Sequence, residues 1–387
     1  MVFAYSNKSL DNKLINEKIS RALHDNLISK EEYAAVKKAY PEDLYTPNVF
    51  IQIGIFLLSV IIILMGSGLL TLMTGVSSEK AFGALSAFSS LMLYPALEFI
   101  IRTKKHYRSG LDGALLWLSA GFFIAAVNLF VPYLSYLAQA ILIFITATFF
   151  SLRFAAPLMS SVAFLSLLAI VFYSIVPLGD IAKAAMPFIL MAISFSIYFL
   201  VKRNTRFSHY RSCNNFIQTL SLITAYAAVN FFVVREVSNE LFGLHLRKGS
   251  SIPGGWFFWS VTVLMPPIYM WRGLQKKDVI LLRTGMVLLA ATIFTINYYY
   301  QVASLEIFMT IAGAFMIVLA YAVTKYFRMP KHGITHKEPN DPQLPGMLQL
   351  EALVISQSFY QPPAAVGGNH PEFGGGSGGG AGATGQF

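Results

Sequence analysis

The residue types that most often carry chemistry are sparse in this chain, and their spacing supports no familiar reaction. The seven histidines are His24, His106, His209, His245, His332, His336 and His370. None falls inside a long apolar run, and none has the H-E-x-x-H spacing that puts two zinc ligands on one helical face. His332 and His336 are four apart, but they stand beside Lys331 and Lys337 and read as a solvated loop rather than a metal pair. The single cysteine, Cys213, excludes an internal disulfide and a cysteine-based zinc site. No G-x-x-x-x-G-K-[ST] loop is present, and the "GGGSGGG" run near the end has no strand before it and no helix after it to make a phosphate cradle. The expectation is therefore no catalytic residue, no cofactor and no metal.

Ionisable groups near apolar segments are the next place to look, because burying a charge in lipid costs about 2.5–3.5 kcal/mol or more. Glu98, Asp112, Arg153 and Arg283 lie near the same ends of successive apolar runs, and two acids with two bases could form one neutral network. Structural pairing is the preferred reading, with Arg102 one turn from Glu98; a gate or proton site is the alternative. Toward the opposite ends lie Asn128, Asn230 and Asn297, the last followed by Tyr298, Tyr299 and Tyr300. They read first as interface residues in an aromatic belt, and otherwise as a polar vestibule. Pro266 and Pro267 remove two amide donors from one apolar run and predict a kink or break. Broken helices line cavities in transporters, and they also occur as passive kinks.

The elements that must position these groups are membrane-type helices. Of 387 residues, 55% are hydrophobic and only 12% charged, against about 25% charged in soluble domains. A spanning helix needs roughly 20 apolar residues, and such runs occur at about 49–74, 81–101, 110–131, 133–150, 154–176, 182–201, 213–234, 255–271, 278–298 and 305–325. The expected fold is all-α: about ten transmembrane helices, with "SLR" (151–153) as a thin separator between two of them. With the amino terminus inside, 24 of the 29 basic residues fall on the cytoplasmic side, so both termini are expected in the cytoplasm. That distribution in short loops also argues against nucleic acid as the partner of a chain with formal charge +10. No cleavable signal peptide is expected, since the first long apolar run starts only at residue 49. The expected domains are a cytosolic hairpin (1–46), a helical bundle (47–327) and a flexible tail (328–387) holding one short apolar helix and a Gly-rich end. The segment 235–254 is expected to lie flat at the outer interface.

Residues 9–40 read as two short amphipathic helices. In "SKEE", Ser29 can cap the amide of Glu32 while the Glu32 carboxylate returns to the Ser29 amide. Leu14, Ile19 and Val36 stand on the apolar faces and form the candidate docking face. The stretch "LINEKISRALHDNLISKEEYAAVKKAY", followed by "IQIGIFLLSVIIILMGSGLL", resembles the bacterial membrane proteins of domain-of-unknown-function family 2157, over roughly residues 10–75. The resemblance implies a helical hairpin before a glycine-containing first span, and a bacterial inner-membrane location. It assigns no activity and no site residues.

Two helices this short are marginal alone, so the hairpin is expected to dock on a protein partner or on its own bundle. The expected function is a membrane scaffold or sensor, surrounded by the lipid bilayer. The alternative is a small-molecule or lipid transporter built around a broken eighth span.

Overall fold

The computed structural model describes residues 3–24, 27–203, 208–242, 252, 254–300 and single positions between 304 and 325. The chain divides into two units, 1–343 and 344–387, and everything below concerns the first. Twelve α-helices are assigned among the described residues, with no strand beyond one isolated bridge. They are α1 (Asn7–His24), α2 (Lys30–Ala39), α3 (Val49–Thr74), α4 (Glu79–Lys104), α5 (Leu111–Phe130), α6 (Tyr136–Phe154), α7 (Pro157–Ile175), α8 (Asp180–Arg203), α9 (Arg211–Val229), α10 (Phe231–Phe242), α11 (Gly255–Lys276) and α12 (Val279–Tyr300).

Seven of them, α3 to α8 and α12, are long and apolar enough to cross a membrane, and α9 with α10 passes the same test as one pair bent by 67°. α11 is as long as α12, but its Trp, Tyr and Pro residues make it less apolar. The exposed faces carry large apolar side chains, such as Leu57, Ile62, Met65 and Leu72 on α3. This is a helical architecture whose surface suits lipid rather than water.

Nine of the ten apolar runs read from the sequence coincide with helices or the bent pair; the tenth, 305–325, and the tail lie essentially outside the described residues. The separator after the fourth run is not "SLR". α6 runs on to Phe154, Ala155 takes a left-handed backbone (φ +47°), and Pro157 opens α7. Proline is preset for a first helical turn, where its missing N–H is not needed. Residues 243–251 and 253 of the expected interfacial segment are outside the described residues; its first part is the end of α10.

The helices associate as sequential hairpins, α4 with α5, α6 with α7, α8 with α9 and α11 with α12, joined through α7 and α9. One buried apolar cluster lies in the first half, around Leu97, Leu115, Phe150 and Met159, and a second around Leu222, Tyr226, Met265 and Leu288.

The amino-terminal hairpin sits on the first half. The capping box at Ser29 is formed, with Glu32 N donating to Ser29 Oγ (3.2 Å) and Ser29 N to Glu32 Oε2 (2.8 Å). Its inner face differs from the apolar expectation. Leu14, Ile19 and Val36 are only half-buried, whereas Ser9, Leu10, Asn12 and Asn16 are buried on α1. The cause is the chain leaving α2: the Tyr40 and Pro41 carbonyls need donors, and Asn16 Nδ2 (2.7 Å) and Asn12 Nδ2 (2.9 Å) supply them. Ahead of α1, Ala4 N donates to the Arg153 carbonyl (2.9 Å), and Ala4 and Tyr5 enter the first core cluster. Burial there, reinforced by the Asp112 carboxylate, holds the Tyr5 phenol well above its usual pKa.

After the hairpin, Tyr45 N donates to the Lys105 carbonyl (2.9 Å) and Tyr107 N to the Tyr45 carbonyl (3.1 Å). The corner between α4 and α5 thereby becomes the seat of the hairpin's exit. Gly110 completes that corner. Its φ is +94°, and a Cβ there would lie 2.2 Å from the Gln52 carbonyl oxygen of α3, so only glycine meets both the conformation and the approach. Gly110→Ala is expected to destabilise the protein by about 2 kcal/mol or more and to lower its thermal midpoint in mild detergent. Gly121→Ala, at a position with nothing within 4 Å, is the control expected to leave the midpoint unchanged.

Candidate functional site at a bent helix pair

The break in the helical ladder falls at Asn230, not at the two prolines. α9 ends at Val229, Asn230 is extended (φ −68°, ψ 130°), and α10 restarts at once with Val233 N donating to Asn230 Oδ1 (3.2 Å). Asparagine favours this because its side chain replaces the lost helical acceptor. The expected break at Pro266 and Pro267 does not occur: both lie inside one continuous α11. Pro266 is buried and Pro267 exposed.

The same neighbours explain both outcomes. Pro266 cannot donate to the Thr262 carbonyl four residues earlier, and the Thr292 hydroxyl of α12 donates to that carbonyl instead (3.0 Å). The Phe231 amide, opened by the bend, donates to Thr262 Oγ1 (2.9 Å), which in turn donates to the Phe258 carbonyl (2.8 Å). Asn230 Nδ2 donates to the Tyr226 hydroxyl (2.9 Å), which lies 2.9 Å from Thr292 Oγ1. Thr292 Oγ1 also lies 3.0 Å from the Leu288 carbonyl, and with its proton directed to these carbonyls Tyr226 is the donor to Thr292. A one-way relay then runs Asn230, Tyr226, Thr292, Thr262 carbonyl. Every member is buried. Close packing makes this possible: a Cβ on Gly285 of α12 would lie 2.8 Å from Met270 Cγ and 3.2 Å from the Pro266 carbonyl of α11.

The relay holds neutral donors and acceptors that satisfy one another. It contains no nucleophile–base pair, and among the described residues no group of three His, Cys, Asp or Glu side chains is placed to hold a metal. What it can do is pin a bend, and offer a row of hydroxyls to a polar solute that displaced the internal bonds.

The other two asparagines of the expected layer are elsewhere. Asn128 on α5 donates back to the Ile124 carbonyl (2.9 Å). Asn297 lies two residues beyond Thr295, about 200° round α12 from it, and its Oδ1 is buried without a partner. Beyond the bend, Arg235 is buried on α10, with Nη1 2.8 Å from Glu236 Oε1 and its guanidinium over the Tyr299 ring (5.4 Å); the Tyr299 hydroxyl donates to the same carboxylate (3.3 Å).

The four ionisable residues expected in one network separate into three places. Glu98 and Arg153 meet across 55 residues in a bidentate pair (Nε–Oε1 2.7 Å, Nη2–Oε2 2.9 Å), joined by Arg102 (2.9 Å) and the Tyr94 hydroxyl (3.1 Å). Asp112 accepts the amides of Arg108 (2.8 Å), Ser109 (2.8 Å) and Gly110 (3.1 Å) and so shapes the α4–α5 corner. Arg283 is in the first turns of α12, which packs on α9 and α11. The sequence reading missed a second ion pair, between Lys202 and Asp278, to which Tyr198 adds its hydroxyl (3.1 Å). It repeats the first with charges exchanged: a tyrosine and an ionised residue four apart, tied to the opposite charge at the turn of the next hairpin. Burial opposes ionisation of Asp278, but the Lys202 ammonium and the Leu281 amide outweigh it and hold the carboxyl below its ordinary pKa.

The Tyr226, Thr262 and Thr292 roles had one sequence signal. A proline frees the carbonyl four residues before it, which marks Thr262, but nothing in the chain marks which hydroxyl answers it.

Thr292→Val, nearly isosteric, should leave the Thr262 carbonyl unpaired and destabilise the protein by about 1–2 kcal/mol, while Thr292→Ser keeps the donor and stays near wild type in detergent unfolding. A folded-state carboxyl held low stabilises the protein above its ordinary pKa and loses that contribution as pH falls. The Asp278 link should therefore weaken on acidification below about pH 4, and Asp278→Asn should flatten the acid side of the stability–pH curve.

Comparison with family models, with curated proteins and with solved structures finds no match to this chain, so the roles assigned to these residues rest on their geometry.

Proposed function

We propose that this is a multi-pass protein of the bacterial inner membrane, of the family-2157 type, with both termini cytoplasmic, acting as a scaffold or sensor whose hairpin is clamped on its own bundle. The observation that carries the reading is the clamp. Ala4 is bonded to the Arg153 carbonyl at the end of α6, Tyr45 to the α4–α5 corner, and Asp11 lies 3.5 Å from His209 at the start of α9. One short soluble module thus touches three separate junctions of the bundle, as a module that reports or restrains helix positions would. Basic residues concentrate at the same junctions: Arg102, Lys104, Lys105 and Arg108 at the corner, Arg153 at the α6 end and Arg211 at the α9 start. That asymmetry supports a cytoplasmic face. The formed capping box and the glycine-containing α3 agree with the family resemblance.

A second reading, a facilitator for small polar solutes, is favoured by one observation, the buried hydroxyl row at the Asn230 bend. The broken eighth span does not support it, since α11 is continuous.

Single cysteines in a Cys213→Ser background test the topology. Lys8→Cys, Lys104→Cys and Lys277→Cys should resist an impermeant maleimide in intact cells, while Ser77→Cys, Tyr133→Cys and Leu178→Cys should react; external labelling of any of the first three contradicts the orientation. The scaffold reading predicts a defined partner recovered with the full-length chain and lost without residues 1–46, at equal membrane yield. If neither version retains a partner, and liposome flux falls with Asn230→Ala, the facilitator reading replaces it.

A further inference from the structure

We propose that the outward face of α11 near its carboxyl end binds an anionic phospholipid, with acyl chains along Leu264 and Ile268 and the headgroup phosphate on Arg272 and Lys276. The inference rests on the reading that these helices stand in a bilayer.

Three observations converge on this face. The first is shape. Leu264, Ile268 and Trp271 are 57%, 52% and 62% exposed, and Arg272 and Lys276 are exposed beyond them. Leu264, Ile268, Arg272 and Lys276 are spaced four apart and so share one face, and at 1.5 Å per residue Leu264 to Lys276 rises about 18 Å, enough to cross the hydrocarbon of one leaflet, about 15 Å, and reach its headgroups. An exposed apolar strip thus ends in a tryptophan, the side chain favoured at the headgroup boundary, and then in two cations.

The second is charge. Several cations at this end have acidic partners: Lys13 with Glu42, Lys105 with Asp43, Arg102 and Arg153 with Glu98, Lys202 with Asp278. Arg272 and Lys276 have no acidic partner among the described residues. They are four apart on one helix, so both can reach a single phosphate from one side.

The third is the contrast along the same helix. Trp256 at the opposite end is 77% exposed, yet no basic residue lies within the first turns of α11 beside it. The cations are thus confined to one end of α11, and the exposed apolar strip beside them commits the site to a phosphate that carries acyl chains rather than to a free phosphate.

The test uses the full-length protein in phosphatidylcholine vesicles doped with brominated-chain phosphatidylglycerol or, separately, brominated-chain phosphatidylcholine. Quenching of Trp271 is read as the difference between wild type and Trp271→Phe. Each cation near an anionic headgroup is worth about fivefold, so half-quenching should need about twenty-five-fold less phosphatidylglycerol than phosphatidylcholine. Arg272→Gln with Lys276→Gln should abolish that preference while leaving the melting midpoint unchanged, since both side chains are exposed. Equal quenching by the two lipids in wild type, or a preference surviving in the double variant, overturns the proposal. Absence of quenching by either lipid overturns the bilayer reading on which it rests, and so tells the two failures apart.

Discussion

The arrangement of the first half hangs on one carboxylate. Asp112, in the first turn of α5, gathers three successive backbone amides and the Ser109 hydroxyl. A carboxylate accepting several amides at a helix start is stabilised by the bonds and by the helix dipole together. The turn it fixes has two consequences. It holds Gly110 in the left-handed conformation that lets α3 approach within backbone contact. It also sets residues 105–107 where Tyr45 pairs with them and where the Tyr107 ring meets Tyr5 edge-on, centroids 5.2 Å apart. Helix α3, the hairpin exit and the amino-terminal segment are thus positioned by the same corner.

A constraint of the same kind governs the second half. Where water is scarce, each backbone group freed from a helix must find a partner within the protein. Pro266 frees one carbonyl and the Asn230 bend frees one amide, and Thr262 lies at the crossing of both, its carbonyl answered by Thr292 and its hydroxyl answering Phe231. The proline pair therefore stays helical while an ordinary-looking stretch bends.

The sequence made the helices legible because apolar runs of spanning length have few alternatives: α3 coincides with the charge-free run 49–74. The capping box was legible because its chemistry is local. What the sequence hid was pairing across long separations. Glu98 and Arg153 stood together among four candidates, but nothing local marked these two, 55 residues apart, as the pair. Nothing local marks Asn12 and Asn16 for burial, because their partners are carbonyls of a turn more than twenty residues away. Asn230 gave no sign of a bend, since neither proline nor glycine adjoins it, and asparagine in an apolar run has many uses. The prolines misled for the converse reason, their compensation coming from another helix.

The corner's role is tested most directly by hydrogen exchange on the full-length protein in mild detergent, comparing wild type with Asp112→Asn. Loss of amide acceptors at the corner should raise exchange together at residues 4–16, 43–56 and 105–115, and leave 211–229 and 255–300 unchanged. Faster exchange confined to residues 108–112 would contradict the corner as the common support of α3 and the hairpin.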